Sequence, residues 1–225
     1  KHHTYVQFFK VEPDATGQRL GSLLSTRAAD GIEARLLYDD LVCHPWRWYY
    51  RILERQGVAT AGFGRVHIPF ITRRGYYRNH RKTVIIDGRV AYVGGMNIAD
   101  YYIEGLPEIG DWRDMHIRIE GDAINELQDI FLDMWNKCTQ QDIGGATYYP
   151  LKNDSMIASL PSKDVAIVDR YPRKSPKIIR NVYAHAIENA ENKIQIINPY
   201  FTPTKTIKRA IKEAIKKGTK VEIMI

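Results

Sequence analysis

Cysteine is nearly absent from this chain of 225 residues, which has only Cys43 and Cys138, far apart and without metal-ligand spacing. That excludes a disulfide framework and a thiolate zinc site, and it fits a reducing compartment. Long apolar runs are missing as well. No stretch approaches the roughly 20 residues that a membrane span requires, and no signal-peptide pattern opens the sequence. Acidic residues are outnumbered, 26 Asp and Glu against 33 Lys and Arg, for a net charge of +7. The excess points to anionic partners, lipid headgroups or nucleic acid, without choosing between them. With 44% hydrophobic residues the chain can bury a proper core. Lys1-His2-His3 leads almost directly into a strand, the expectation for a piece of a longer protein.

The densest information lies between Asn79 and Asn97. Side chains two apart on a strand share a face, so His80 and Lys82 can converge on one small anion. Val84 to Ile86 anchor the strand, and Asp87-Gly88 is a two-residue hairpin signal. If the hairpin closes there, Ile86 faces Arg89, Lys82 faces Val93 and His80 faces Gly95. The return strand then delivers Gly94-Gly95-Met96-Asn97 beside the pair. An imidazole, an ammonium, a small-residue turn with free N–H groups and an amide donor would share one spot, as a phosphodiester requires. A neutral imidazole can attack phosphorus, Lys82 can neutralise the nonbridging oxygens, and Gly95 and Asn97 can help bind them. Asp87, at an odd offset from His80, faces away from it, and the turn explains it without chemistry. The imidazole still needs an acceptor on its other nitrogen. Asp114, on the polar face of its strand, is the candidate and Asp111 the alternative.

His80-x-Lys82-x4-Asp87 followed by Gly94-Gly95-x-Asn97 resembles the motif of the phospholipase D superfamily. Tyr77-Arg78-Asn79-His80-Arg81-Lys82, Gly94-Gly95-Met96-Asn97-Ile98, Trp112-Arg113-Asp114-x-His116 and Asn198-Pro199-Tyr200-Phe201-x-Pro203 are similar to its bacterial cardiolipin synthase branch, in which Gly95 stands where many members carry serine. The resemblance implies a phosphatidyltransferase working through a phosphohistidine, with two phosphatidylglycerols giving cardiolipin and glycerol. It also implies catalytic roles for His80, Lys82 and Asp114, an acidic residue at the place of Asp114 pairing with the histidine. No cofactor and no metal are implied, since lysines supply the cations. The implied partners are an anionic phospholipid, a membrane surface and a second half of the same fold, with nucleic acid less favoured. The implied location is the bacterial cell membrane, with the active domain on its cytoplasmic side. A hydrolase of the same superfamily, phospholipase or nuclease, stays open, as does a fragment that only binds anions.

Strand signals at 3–11, 32–38, 58–63, 82–86, 89–93 and 114–119 alternate with helical periodicity in Leu20, Leu23, Leu24 and Ala28 and in Ile124, Leu127, Phe131 and Trp135. The expected fold is α/β, a mixed sheet flanked by helices. Residues 1–138 form a first phospholipase D-like half and 139–174 a linker with a short strand at 165–168. Residues 175–225 open a second half, its helix starting at Ser175-Pro176. The segment 193–225 repeats the strand–helix–strand order of 5–38, with Leu20, Leu24 and Ala28 matching Ile207, Ile211 and Ile215 and Gly31 matching Gly218. The second copy stops before any second motif, so these 225 residues are expected to be catalytically incomplete.

Three further clusters carry two readings each. Trp46, Trp48, Tyr49 and Tyr50, interleaved with Arg47 and Arg51, suit a lipid interface or the start of a packed helix. Tyr76, Tyr77 and Arg78 suit a pocket rim or loop packing. Lys205, Lys208, Arg209, Lys212, Lys216 and Lys217 suit an anion-facing surface or a solvated helix face.

Overall fold

The computed structural model describes residues 2–66, 77–108, 110–150, 165–171 and 177–225, which divide into two compact units, Lys1–Ile167 and Val168–Ile225. In the first, the strands are β1 (His3–Phe8), β2 (Glu33–Asp39), β3 (Ala59–Phe63), β4 (Thr83–Ile86), β5 (Val90–Gly94) and β6 (His116–Glu120), with β1, β4 and β5 richest in β-branched and aromatic residues. They make one mixed sheet in the order β3-β2-β1-β4-β5-β6. The β1-β2-β3 side is parallel because α1 (Ala15–Ala29) and α2 (Arg47–Arg55) supply its crossovers, and the β1-β4-β5-β6 side is antiparallel, with the one-turn α3 (Tyr101–Glu104) between β5 and β6.

Helices cover both faces. Leu24, Tyr49, Tyr50 and Leu53 from α1 and α2 pack on Val6, Phe8, Leu36 and Tyr38. Gly21 lets the two helices approach, since a Cβ there would lie 2.9 Å from Leu53 Cδ2, and the Tyr49 hydroxyl donates to Gly17 O at 2.5 Å. The aromatic stretch at 46–51 is thus mainly a packed helix; Trp48, 54% exposed, is the aromatic that it leaves outside. On the other face α4 (Ala123–Thr139) stacks Phe131 on Tyr5 at 4.6 Å, and Gln128 Oε1 lies 2.8 Å from His3 Nε2. Buried Tyr148, inside the segment read as linker, belongs to this layer. Its hydroxyl donates to Glu33, and its carbonyl accepts from Gln128. The strand expected at 165–168 does not form, and Tyr76 and the helix start at Ser175-Pro176 lie outside the described residues.

The β4–β5 hairpin differs from expectation by one residue. Asp87 and Gly88 take consecutive positive φ angles, 54° and 62°, and Arg89 N–H donates to Ile86 O at 2.9 Å, a tight two-residue turn. The ladder nevertheless resumes at Ile86↔Val90, leaving Arg89 as an extra residue of the bulge type. This register lines up Tyr5, Ile85, Ala91 and Ile119 in one apolar row on the face that α4 covers. Lys82 therefore lies opposite Gly94, whose N–H donates to Lys82 O at 3.3 Å, and not opposite Val93.

The second unit is α5 (Ile178–Glu188), β7 (Lys193–Ile197), α6 (Lys205–Lys216) and β8 (Lys220–Met224), with β7 and β8 paired in parallel. Ala184, Ile187, Ile194, Ala210, Ile211 and Ala214 form its core. No described helix is long and apolar enough to cross a membrane.

Candidate active site

His80, Lys82, Gly94, Gly95, Asn97, Asp114 and His116 come together at the edge of the sheet where β1 and β5 end and β4 and β6 begin. Asp39, fully buried at the end of β2, fixes the approach to this edge. Its carboxylate accepts from Arg78 Nη1 at 3.0 Å and Asn79 N–H at 3.1 Å, and from Leu41 N–H at 3.1 Å. The chain thus enters at Asn79 on a rigid anchor and turns into β4 within four residues. At the far end of β4, the Asp87 carboxylate accepts from His3 N–H at 2.8 Å and so ties the hairpin turn to β1.

Lys82 is the least expected side chain here. It is only 3% exposed, and its ammonium lies 2.9 Å and 3.0 Å from the two ring nitrogens of His80 and 3.0 Å from the His80 carbonyl. Phe9 backs both groups, its ring 4.6 Å from the imidazole and 5.5 Å from the ammonium. No carboxylate closes on Lys82 among the described residues. Burial pushes its pKa down to about 8 against the pull of Asp114. Burial, and then the charge of Lys82, also lower the His80 imidazole below its ordinary value. At neutral pH the pair is a neutral imidazole beside an ammonium with no carboxylate in contact among the described residues, an arrangement suited to an anion.

The glycine pair does something other than expose N–H groups. Gly95 N–H donates to Met115 O at 3.0 Å and Gly94 N–H to Lys82 O, so both are used in the ladder. What the glycines supply is room. A Cβ at Gly95 would collide with Asp114 Oδ1 and stand 2.8 Å from its Cγ, and one at Gly94 would meet the His116 ring. The Asp114 carboxylate thus sits over Gly95, held by its own chain at Met115 N–H, 2.7 Å. It is not hydrogen-bonded to His80, and neither is exposed Asp111; Asp114 acts on Lys82 and His116 through its charge.

Asn97 is buried and partly committed: Oδ1 accepts from Lys10 N–H at 3.1 Å and Nδ2 donates to the Tyr102 hydroxyl at 2.8 Å, leaving one amide hydrogen for a ligand. Its loop is clamped by Asp100, whose carboxylate accepts from Ala15 and Thr16 N–H at the start of α1 at 3.1 and 2.7 Å. Lys10, Asp39 and Asp100 were not foreseen as site supports, because each acts across 39 or more residues, and Tyr102 was not because it reaches Asn97 from the next loop turn, five residues on. His116, named only as part of a resembling string, is brought into the site by the one-residue shift of β5. Arg78 packs beside this region as the Asp39 anchor. Among the described residues no three metal-ligating side chains converge.

The geometry can be set beside known proteins. No protein-family model matches the chain. The cardiolipin synthase of Halalkalibacterium halodurans is 34% identical over 227 residues, covering 100% of this chain and 44% of that protein. The major cardiolipin synthase of Bacillus subtilis is 34% identical over 226 residues, 100% of this chain and 46% of that one. The chain therefore spans under half the length of these curated relatives. Among solved structures, the phosphatidylserine synthase of Haemophilus influenzae superposes with a TM-score of 0.66 at 17% identity, over 99% of this chain and 56% of that one, which establishes the shared fold.

Proposed function

From the homology of this chain to bacterial cardiolipin synthases along its whole length, we propose that it carries one half of a phosphatidyltransferase site, with His80 as nucleophile or acid and Lys82 as the phosphate-holding cation. The observation that supports this most directly is the buried Lys82 ammonium, resting on the His80 ring with no carboxylate paired to it among the described residues. A phosphodiester entering the site supplies the missing anion. Its nonbridging oxygens draw Lys82 off the ring and free a nitrogen lone pair to attack phosphorus.

In the first step a His80 nitrogen bonds to phosphorus, and the glycerol oxygen of phosphatidylglycerol leaves with a proton. In the second, the hydroxyl of another phosphatidylglycerol displaces the imidazole, giving cardiolipin. The proton donor must stand across phosphorus from the nucleophile. One His/Lys set cannot occupy both sides, so a second set, from a duplicated half or from a symmetric partner, completes the reaction. The anionic substrate is a bilayer lipid, which places the working face at a membrane surface.

The test is turnover of phosphatidylglycerol vesicles by the product of the complete gene, with lipids separated and quantified. Cardiolipin plus glycerol is the expected outcome. Phosphatidic acid as the main product would replace transfer with hydrolysis. No lipid product, with cleavage of DNA, would replace the substrate class. The 225-residue chain alone should turn over at background, and robust multiple turnover by its monomer would overturn the half-site reading.

A further inference from the structure

We propose that His116 is a substrate-binding residue of this site, donating from its imidazole to a phosphoryl oxygen that Lys82 holds. The inference rests on the phosphoryl-transfer reading above and adds a residue to it. Three observations carry it. First, the ladder pairs Gly94 with His116, and the Gly94 N–H bond to Lys82 O continues the same row. Lys82, Gly94 and His116 thus stand side by side on three adjacent strands and face the same way. Second, the middle member has no side chain. A Cβ at Gly94 would meet Met115 O and stand 2.5 Å from His116 Cγ, so the ring lies over Gly94 on the side towards Lys82's row, backed by Phe8 at 6.5 Å.

The third observation concerns the ring nitrogens. Nδ1 is buried with no hydrogen-bond partner. A buried N–H without an acceptor is a rarer and costlier orphan than an acceptor without a donor. The neutral ring therefore carries its proton on Nε2, leaving an N–H donor that no protein group takes up among the described residues. Burial favours that neutral form; Asp114 pulls the other way, and Lys82 adds to the lowering. If the ring were only filler over Gly94, leucine would fill the gap without an orphaned nitrogen.

The glutamine amide nitrogen falls near the position of a histidine Nε2, and leucine has similar bulk but no donor, so the two substitutions separate donation from packing. In the complete gene product, His116→Leu should lower kcat/KM for phosphatidylglycerol by about tenfold to a hundredfold, the loss expected for one hydrogen bond to a charged group. His116→Gln should recover most of that loss, and melting temperatures should confirm that both variants fold. Unchanged kinetics in His116→Leu, or equal impairment of two well-folded variants, would overturn the assignment. Should His116→Leu fail to fold, the unsubstituted protein still decides. Titrated with inorganic phosphate and followed by imidazole ¹⁵N NMR, His116 Nε2 should shift along the same saturation curve as His80, and Lys82→Ala should abolish both shifts. A His116 signal that stays put while His80 saturates would overturn the assignment. A protein that forms no cardiolipin, yet shows the phosphate response at His116, would sink the proposed function and leave this site standing.

Discussion

The segment β1-α1-β2 and the segment β7-α6-β8 are two renderings of one strand–helix–strand plan. In both, parallel strands flank a helix capped by a side-chain oxygen, Asp14 on Gly17 N–H and Thr204 on Ile207 N–H. In both, a glycine with positive φ follows the helix, Gly31 at 79° and Gly218 at 94°. The second helix has 12 residues against 15, about one turn less, so the offset that aligns the glycines does not align the caps. The larger difference is burial. Leu36 and Leu37 of β2 are 0% exposed, while their register counterparts Ile223 and Met224 of β8 are 42% and 65% exposed. The same pattern becomes a core in the first unit because four more strands and two more helices close over it. A repeated element has no stability of its own until neighbours bury its faces.

The sharpest way to break the comparison is chemical, since only the first unit carries the His/Lys pair among the described residues. His80→Ala in the complete gene product should cost about 10²–10⁴ in rate, the range for a lost acid–base or nucleophilic group. The same change at exposed His185 on α5 should leave the rate near that of the unsubstituted protein. Initial rates of cardiolipin formation decide it. A loss at His185 as large as at His80 would move the chemistry out of the first unit.

Next in size is the packing contrast. Leu36→Ala empties a fully enclosed position and should destabilise the first unit by about 2–5 kcal/mol, whereas Ile223→Ala should cost about 0.5 kcal/mol or less. Urea unfolding with hydrogen exchange resolved by unit measures both. Equal costs would mean that β8 is covered as fully as β2.

What the sequence could and could not tell follows the same line. The periodicities of α1 and α4, the Asp-Gly turn and the glycines after α1 and α6 are local signals, and they form where expected. The extra residue at Arg89 was hidden because Asp87-Gly88 makes the same turn with or without a bulge, and only the core row of Tyr5, Ile85 and Ala91 selects between them. Asp39 and Asp100 were hidden because their partners are distant in the chain. The two glycines were legible as small residues, but their purpose, room for Asp114 and His116, needed the facing strand. Tyr148 was invisible as a core residue because it sits alone in a segment rich in glycine and polar residues.

Lys205, Lys208, Lys212 and Lys216 of α6 are exposed, whereas Lys82 is buried and pushed down to about 8. On the proposed mechanism Lys82 holds phosphate only when protonated, so kcat/KM should fall above about pH 8, approaching tenfold per pH unit. If His80 is the nucleophile it must be neutral to attack, and its pKa lies below the usual 6.5, so the acid limb should lie below pH 6.5. Asp114 and His116 also face this pair, and the profile should be read in variants at both positions. Lys82→Arg should shift the alkaline limb upward, because a guanidinium stays charged. A limb that does not move would assign it to another group.

The smallest expected effect lies at the two helix caps, where the repeats are most alike and their surroundings differ. Thr204 caps α6 with a single exposed bond of 3.4 Å to Ile207 N–H, near the limit of a hydrogen bond. Asp14 caps α1 with a bond of 2.9 Å to Gly17 N–H, and its second oxygen accepts from Asp100 N–H at 2.7 Å. Asp100 in turn caps Ala15 and Thr16, so two carboxylates hold three N–H groups of one helix start and tie it to the loop that carries Asn97. The Asp14 charge also faces the positive end of the α1 dipole. Thr204→Ala should therefore cost a few tenths of a kcal/mol, below the usual cap value of about 1, and Asp14→Ala should cost about 1–2. Asp14→Ala should also weaken phosphate binding at Lys82 slightly, by loosening the loop at Asn97, and Thr204→Ala should not touch it. Thermal melts and phosphate titrations of the two variants are the measurement. If both cost the same and neither alters binding, the first cap is a helix end and nothing more, and the link from α1 to the site has to be given up.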